Sequence, residues 1–261
     1  MDNPVVNEWL NLIFRWAHVV AGVMWIGHLW FFNFVNAQLA KTYDADSKKK
    51  VIPELMPRAL YWFRWGAAWT WITGVLLLGI IYYMGAGLLR EGSTLGKGAG
   101  TAIGLGAVVA GFLVYDLLWN SPLKANAIAG VAVSVVLLAA FAWGLDRIFA
   151  TRSVYIHLGG LLGTIMAANV WMRIWPSQRK IIAAVKAGQA PDPAVVALAG
   201  LRSKHNTYMS VPLLFLMISN HFPGVYGMAN SWVVAVVLVV VSFPFTAWLY
   251  KKSASAAPAT F

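Results

Sequence analysis

The run WLNLIFRWAHVVAGVMWIGHLWFFNFVNAQL, at residues 9–39, decides the fold of this chain. A helix crosses the apolar core of a bilayer with about 20 residues, so this run predicts a membrane-spanning helix. It is too long for the apolar region of a signal peptide, and acidic rather than basic residues precede it. We therefore expect a helix that belongs to the mature protein.

The rest of the composition agrees with this interpretation. The chain is 60% hydrophobic and only 11% charged, whereas soluble domains carry roughly 25% charged residues. These values predict an all-α, polytopic membrane helix bundle. Six further segments are long and apolar enough to span the membrane, which gives about seven transmembrane helices. We expect them to form a single domain over residues 1–252, followed by a disordered tail at 253–261. These further segments are 59–86, 99–119, 126–146, 154–175, 206–222 and 230–250.

The basic residues predict the orientation of the bundle, because positive charge collects in cytoplasmic loops. With the N-terminus outside, the outer loops hold only Arg90, Lys97, Arg147 and Arg152, and the other loop lysines and arginines lie inside. We therefore expect a cytoplasmic C-terminus and a multi-pass protein of the bacterial inner membrane. The net charge of +11 is then a topology signal, and it does not indicate binding to nucleic acid.

The longest polar connection, 176–204, is cytoplasmic in this topology. Ser177 to Ala187 predicts a short amphipathic helix that Gly188 ends. Asp192 and Pro193 are typical of an N-cap and a first helical residue. A second helix is therefore expected to begin there and to continue into the sixth span.

All five histidines lie within or at the edge of apolar segments, where ionisable side chains are costly and usually functional. The chain has no cysteine, so imidazole is the strong ligand available for a metal or a haem. We expect haem b, one or two per chain, with ligands from different helices. Depth along the spans sorts the candidate ligands into an outer group of His18, His157 and His221 and an inner group of His28 and His205. The outer group leaves one histidine for proton transfer, and His157 is the candidate for this catalytic role.

Other polar side chains at membrane depth are candidates for substrate binding or for ion pairs. Arg15 is a candidate catalytic and substrate-binding residue, because its planar and always charged guanidinium suits an anionic substrate, and Asp146 is a possible ion-pair partner for it. Asn33 and Asn169 can hydrogen-bond a heterocyclic substrate. Arg64 and Asp116 are expected to form a structural charge pair.

Three stretches of the chain resemble a known family. They are RWAHVVAGVMWIGH with FFNFVN at residues 15–36, PRALYWFRWG at 57–66, and HNTYMSVP with MISNHFP at 205–223. They are similar to the membrane domain of the bacterial cytochrome c-type urate oxidases, also called urate hydroxylases.

The resemblance implies oxidation of urate to 5-hydroxyisourate, with the electrons accepted in that family by a fused C-terminal cytochrome c domain. A chain without cysteine cannot carry a covalent c-type haem. We therefore expect a separate cytochrome c, or another acceptor, as the electron-transfer partner. Two alternatives remain: a haem b electron-transfer or anchor subunit without substrate chemistry, and a cofactor-free transporter or structural membrane protein.

Overall fold

The computed structural model describes residues 3–255, and the described residues form an all-α protein without a named strand. Eight helices account for most of them. They are α1 Pro4–Trp30, α2 Ala45–Leu78, α3 Lys97–Asn120, α4 Ala127–Asp146, α5 Thr151–Asn169, α6 Trp175–Lys186, α7 Pro193–Ser219 and α8 Ser231–Ser255. Three short helical segments, Ala37–Leu39, Pro122–Ala125 and Pro223–Tyr226, lie between them.

Three helical runs contain π-helical turns, at Phe31–Asn36, Gly79–Tyr83 and Val170–Ile174. A π turn inserts an extra residue, which rotates the side chains that follow it, and such turns are frequent at functional sites. The first continues α1, the second ends α2, and the third joins α5 directly to α6. The predicted fifth span and the predicted amphipathic helix are therefore one unbroken helical run.

Six of the described helical runs are long and apolar enough to cross a membrane, so the chain is a multi-pass membrane protein. They are Pro4–Leu39, Ala45–Tyr83, Lys97–Asn120, Ala127–Asp146, Thr151–Lys186 and Ser231–Ser255. In the run that contains α5, 72% of the most apolar 18-residue stretch is buried inside the protein, whereas in the other five runs the share is 11–22%. Five helices thus expose most of their apolar surface, as helices in contact with lipid do.

The seventh predicted span, 206–222, is the exception. It lies largely within α7, whose 27 residues give a length of about 40 Å. Its mean hydropathy is lowered by a polar stretch that contains Arg202 and Asn206, both with 0% exposure. Polar residues that face protein rather than lipid are compatible with a span. We therefore keep the prediction that α7 crosses the membrane.

The boundaries predicted from capping residues agree with the structure. The Asp192 carboxylate accepts a hydrogen bond from the Ala194 amide at 2.8 Å, and α7 begins at Pro193. Gly188 adopts a φ of +71° after the end of α6. The last helix continues to Ser255, so the first three residues of the predicted tail are helical, and residues 256–261 lie outside the described part of the chain.

The described residues divide into two compact units. The first comprises residues 3–16, 72–165 and 212–241, and the second comprises residues 17–71, 166–211 and 242–255. In the first unit, a short antiparallel bridge links the segment after α2 to the segment after α4, because the Ala150 amide donates to the Leu88 carbonyl at 3.1 Å. In the second unit, α1 and α2 approach closely where Gly66 faces Trp25. A Cβ at Gly66 would lie 3.1 Å from the Trp25 backbone nitrogen.

Labelling of single cysteines tests the topology, and the natural chain contains no cysteine that would interfere. If α7 spans, Gln189→Cys and Met228→Cys lie on opposite sides of the membrane, with Gln189 inside. A membrane-impermeant maleimide applied to spheroplasts should then label the Met228→Cys variant only. Equal labelling of the two variants, both before and after permeabilisation, would contradict the crossing of α7.

Candidate functional site

Two successive tyrosines organise the polar part of the first unit. Tyr82 and Tyr83 end the π turn that follows α2, and their hydroxyls bind different partners. The Tyr82 hydroxyl donates to the side-chain oxygen of Asn220 at 2.8 Å. The Tyr83 hydroxyl lies 2.9 Å from Nε2 of His157. The π turn thus connects two groups of polar side chains, one around each tyrosine.

His157, on α5, is completely enclosed, with 0% exposure. Its Nδ1 lies 2.7 Å from the backbone oxygen of Ser153. A carbonyl oxygen only accepts, so Nδ1 carries the proton, and in the neutral ring Nε2 accepts from Tyr83. The Ser153 hydroxyl in turn donates to the Gly87 carbonyl at 2.9 Å. The tautomer and the orientation of His157 are therefore fixed by its neighbours.

The space around this ring is filled. Phe149 stacks on the imidazole with ring centroids 4.8 Å apart and an interplanar angle of 12°. On the side of Nε2, α3 approaches through Gly104. A Cβ there would lie 2.6 Å from Nε2 of His157 and 2.9 Å from the Tyr83 hydroxyl. Glycine is thus required at this position for the tyrosine and the histidine to meet.

Arg15 lies in the other group of the first unit, with His221. Its Nε and Nη2 both donate to the side-chain oxygen of Asn11, at 3.3 and 3.1 Å, and its Nη1 lies 3.1 Å from Nε2 of His221. Arginine has no acceptor, so His221 accepts this hydrogen bond. The possible ion pair of Arg15 with Asp146 is wrong, because the Asp146 carboxylate instead lies 3.9 Å from Nη1 of Arg90.

A second arginine belongs to the same group. The guanidinium of Arg152, in the first turn of α5, lies over the ring of Tyr82, 5.6 Å from its centroid. The Nε atom of Arg152 is buried and has no hydrogen-bond partner among the described residues. Tyr82 is thus in contact with Asn220 through its hydroxyl and with a cation through its ring.

Asn33 and Asn169 are engaged in packing within the second unit. The Asn33 amide donates to Ser203 and its oxygen accepts from Tyr250, both at 2.9 Å. The Asn169 amide donates to Asn206, whose own amide donates to the Met166 carbonyl, again at 2.9 Å in each case. These bonds join helices in the way that buried amides do in membrane proteins. Their predicted role in substrate binding stays a prediction that the geometry does not favour.

Arg64, also in the second unit, is surrounded by aromatic rings. Its guanidinium lies 4.1 Å from the Trp175 centroid and 5.8 Å from that of Trp171. Contacts of this kind stabilise a cation at the face of an indole. The predicted pair of Arg64 with Asp116, a residue of the first unit, stays a prediction.

Haem ligation requires a ring nitrogen with an available lone pair and open space before it. His157 does not fit, because Tyr83 and Gly104 occupy the space at Nε2, and at His221 the same nitrogen accepts from Arg15. His28 meets the first requirement, because its Nδ1 lies 2.7 Å from the Met24 carbonyl oxygen, so Nε2 keeps its lone pair, as in most metal-binding histidines.

His18 and His205 lie in the second unit with His28, and both are partly buried. Residues 3–255 contain no group of three or more histidine, cysteine, aspartate or glutamate side chains that would hold a bare metal ion. A haem held by two histidines does not require such a group.

Sequence reasoning missed Tyr82, Tyr83 and Arg152. Tyrosines at the end of a span are typical of the bilayer interface, so their position gave no signal. The Arg152 guanidinium was counted only as a loop charge. Two signals were present: consecutive tyrosines at the predicted depth of the outer histidines, and an arginine at the start of a helix without an acidic neighbour.

Substitution of Gly104 tests the geometry of the tyrosine–histidine contact. Gly104→Ala should destabilise the protein by about 1–3 kcal/mol, because the added methyl overfills a closed space. The matched control is Gly106→Ala on the same helix, where a Cβ meets nothing within 4 Å. That change should be neutral or stabilise by up to about 1 kcal/mol through helix propensity. Thermal unfolding of the two purified variants measures the difference, and equal melting temperatures would contradict the contact.

Comparison with protein families gives one result that covers nearly the whole chain. The family model described as Urate oxidase N-terminal matches residues 4–51 and 42–260. Comparison with curated proteins found no match, and comparison with solved structures found none either. The two matched ranges include the polar groups around Tyr82 and Tyr83 in the first unit and His28 in the second. The chain therefore belongs to the Urate oxidase N-terminal family.

Proposed function

We propose that the protein is a membrane oxidoreductase that converts urate and water into 5-hydroxyisourate. The reaction releases two electrons and two protons, so the protein must bind an anion, accept protons and pass electrons onward. The observation that carries the proposal is the family match over residues 4–260. A separate cytochrome c, or another one-electron carrier, is the proposed acceptor.

Arg15 is the proposed substrate anchor. Three of its N–H groups are used by Asn11 and His221, and arginine has five, so two remain for a ligand. Both of its protein partners are neutral, and its charge is therefore not cancelled by a carboxylate. A planar anion with several oxygen acceptors, such as urate, matches a guanidinium in shape and charge.

His157 is the proposed proton acceptor, and Tyr83 is its connection to the substrate. The enclosed ring cannot touch a substrate directly, since Phe149, Gly104 and Tyr83 cover it. Tyr83 is only partly buried. A substrate proton passes to the Tyr83 oxygen while the phenolic proton passes to Nε2 of His157. The bond from Nδ1 to the Ser153 carbonyl stabilises the imidazolium that results.

Haem b is the proposed redox group, with His28 as one ligand and His18 or His205 as the other. When bound, it supplies one-electron acceptance between the substrate and the external carrier. In the first unit, Nε2 of His157 and of His221 is engaged by Tyr83 and Arg15, so we propose a single haem in the second unit. The protein residues contribute substrate binding, proton transfer and the exclusion of lipid from the site.

Turnover tests the proposal. The purified protein with urate should consume the ultraviolet absorption of urate and reduce added cytochrome c. His157→Gln should lower kcat by about 10²–10⁴-fold, because general base catalysis is lost, and Arg15→Gln should act mainly on KM. Arg147→Gln is the matched control, since Arg147 is exposed and lies over Trp143. A protein with a haem spectrum and no urate consumption would instead indicate an electron-transfer subunit.

The absorption spectrum tests the ligand assignment separately. The purified protein should show a Soret band and, with dithionite, an α band. The His28→Gln variant should lose both bands, whereas His221→Gln should keep them because His221 is engaged by Arg15. A spectrum unchanged in His28→Gln would refute the assignment, and the absence of haem from the natural protein would favour a transporter or structural role.

A further inference from the structure

Arg152 occupies an unfavourable position for a cation. It lies in the first turn of α5, which contains no acidic residue, and the positive end of a helix dipole disfavours positive charge. Its Nε is buried without a hydrogen-bond partner among the described residues. A buried charged donor without a partner is costly. An anion bound at the outer nitrogens of the guanidinium would offset the dipole penalty and balance the charge, whereas Nε itself is covered by protein.

Arg152 and Arg15 belong to one continuous chain of contacts in the first unit. Arg152 lies over the Tyr82 ring, and the Tyr82 hydroxyl binds Asn220. The next residue, His221, accepts from Arg15. Arg152 thus touches the ring of Tyr82, and Arg15 is connected to the Tyr82 hydroxyl through His221 and Asn220.

Within residues 3–255, no ion pair joins either of them to a carboxylate. The described ion pairs include Arg58 with Glu54 and Arg90 with Asp146. Neither includes Arg15 or Arg152. The partners of Arg15 are an amide and an imidazole, which carry no negative charge in the forms that accept its hydrogen bonds.

We propose that Arg152 and Arg15 form a two-arginine binding site for a planar heterocyclic anion, beside the Tyr82–Asn220 pair. The choice of urate as its ligand rests on the proposed function. Arg15 contributes its two remaining N–H groups, and Arg152 contributes the Nη groups of its guanidinium. Arg152 is a binding residue of this site.

The physical chemistry of the site selects the class of anion. Arginine is weakly hydrated and pairs well with delocalised anions. Phosphate is compact and strongly hydrated, so a partly buried site compensates its desolvation poorly. A singly charged purine anion spreads its charge over in-plane oxygen and nitrogen atoms. Those atoms accept from the planar donor groups of two guanidiniums at once.

Equilibrium dialysis of urate against the full chain in nanodiscs tests the site without turnover. Arg152→Gln should weaken urate binding by about tenfold or more, as expected for the loss of a charge-assisted hydrogen bond. Arg152→Lys keeps the positive charge but loses the planar, bidentate donor geometry of the guanidinium. Its affinity for urate should therefore lie between those of the natural protein and Arg152→Gln. Arg147→Gln removes an exposed arginine from the same unit and should bind like the natural protein.

The outcomes distinguish a failure of this binding site from a failure of the proposed urate oxidation. Urate binding that depends on Arg152 without any oxidation would support the site and contradict the proposed activity. Oxidation with unchanged binding in both Arg152→Gln and Arg152→Lys would overturn the site and leave the activity. Displacement of urate by inorganic phosphate at equal concentration would overturn the choice of a planar anion. If Arg152→Gln fails to fold, unchanged binding in Arg152→Lys still overturns the site.

Discussion

Hydrogen-bonding groups inside a bilayer find no water, so each must find a partner within the protein. This constraint explains how the interior polar side chains of the protein are arranged. Asn33 bonds to Ser203 and Tyr250, and Asn169 bonds to Asn206. Asn206 and Ser210 of α7 follow the same rule, because each donates a hydrogen bond to a backbone carbonyl inside the protein. The low mean hydropathy of α7 thus reflects an inward-facing polar surface.

The same constraint separates the histidines by chemistry. A backbone carbonyl fixes the proton on Nδ1 of His157 and of His28, so both rings present Nε2 as an acceptor. What lies before that nitrogen then decides the role. At His157, a tyrosine hydroxyl lies next to Nε2, which suits proton transfer. At His28, no described residue is hydrogen-bonded to Nε2, which suits ligation. Identical residue types with identical backbone contacts thus support different chemistry.

The sequence predicted the helical class, most spans and the start of α7 at Pro193, because apolar length and capping residues are local signals. It also placed His157 and His221 at similar depth. It could not predict that they face different partners, since depth gives height along a helix and not rotation about its axis. The partner of His157 depends on the π turn that contains Tyr82 and Tyr83 and on the approach of Gly104, and both follow from packing between distant segments. The predicted partner of Arg15 failed for the same reason.

The charge balance of the chain links these local features to function. With 20 lysines and arginines against nine aspartates and glutamates, carboxylates cannot neutralise every cation. Loop lysines meet water and lipid headgroups, whereas a partly buried arginine has less access to either. Arg64 is stabilised by aromatic faces, although its Nε, like that of Arg152, is buried without a hydrogen-bond partner among the described residues. Among the same residues, Arg15 has neutral hydrogen-bond acceptors, and Arg152 lies over one tyrosine ring. The proposed anion site in the first unit rests on this difference, because several aromatic rings surround Arg64, whereas Arg15 and Arg152 have neutral acceptors and one ring.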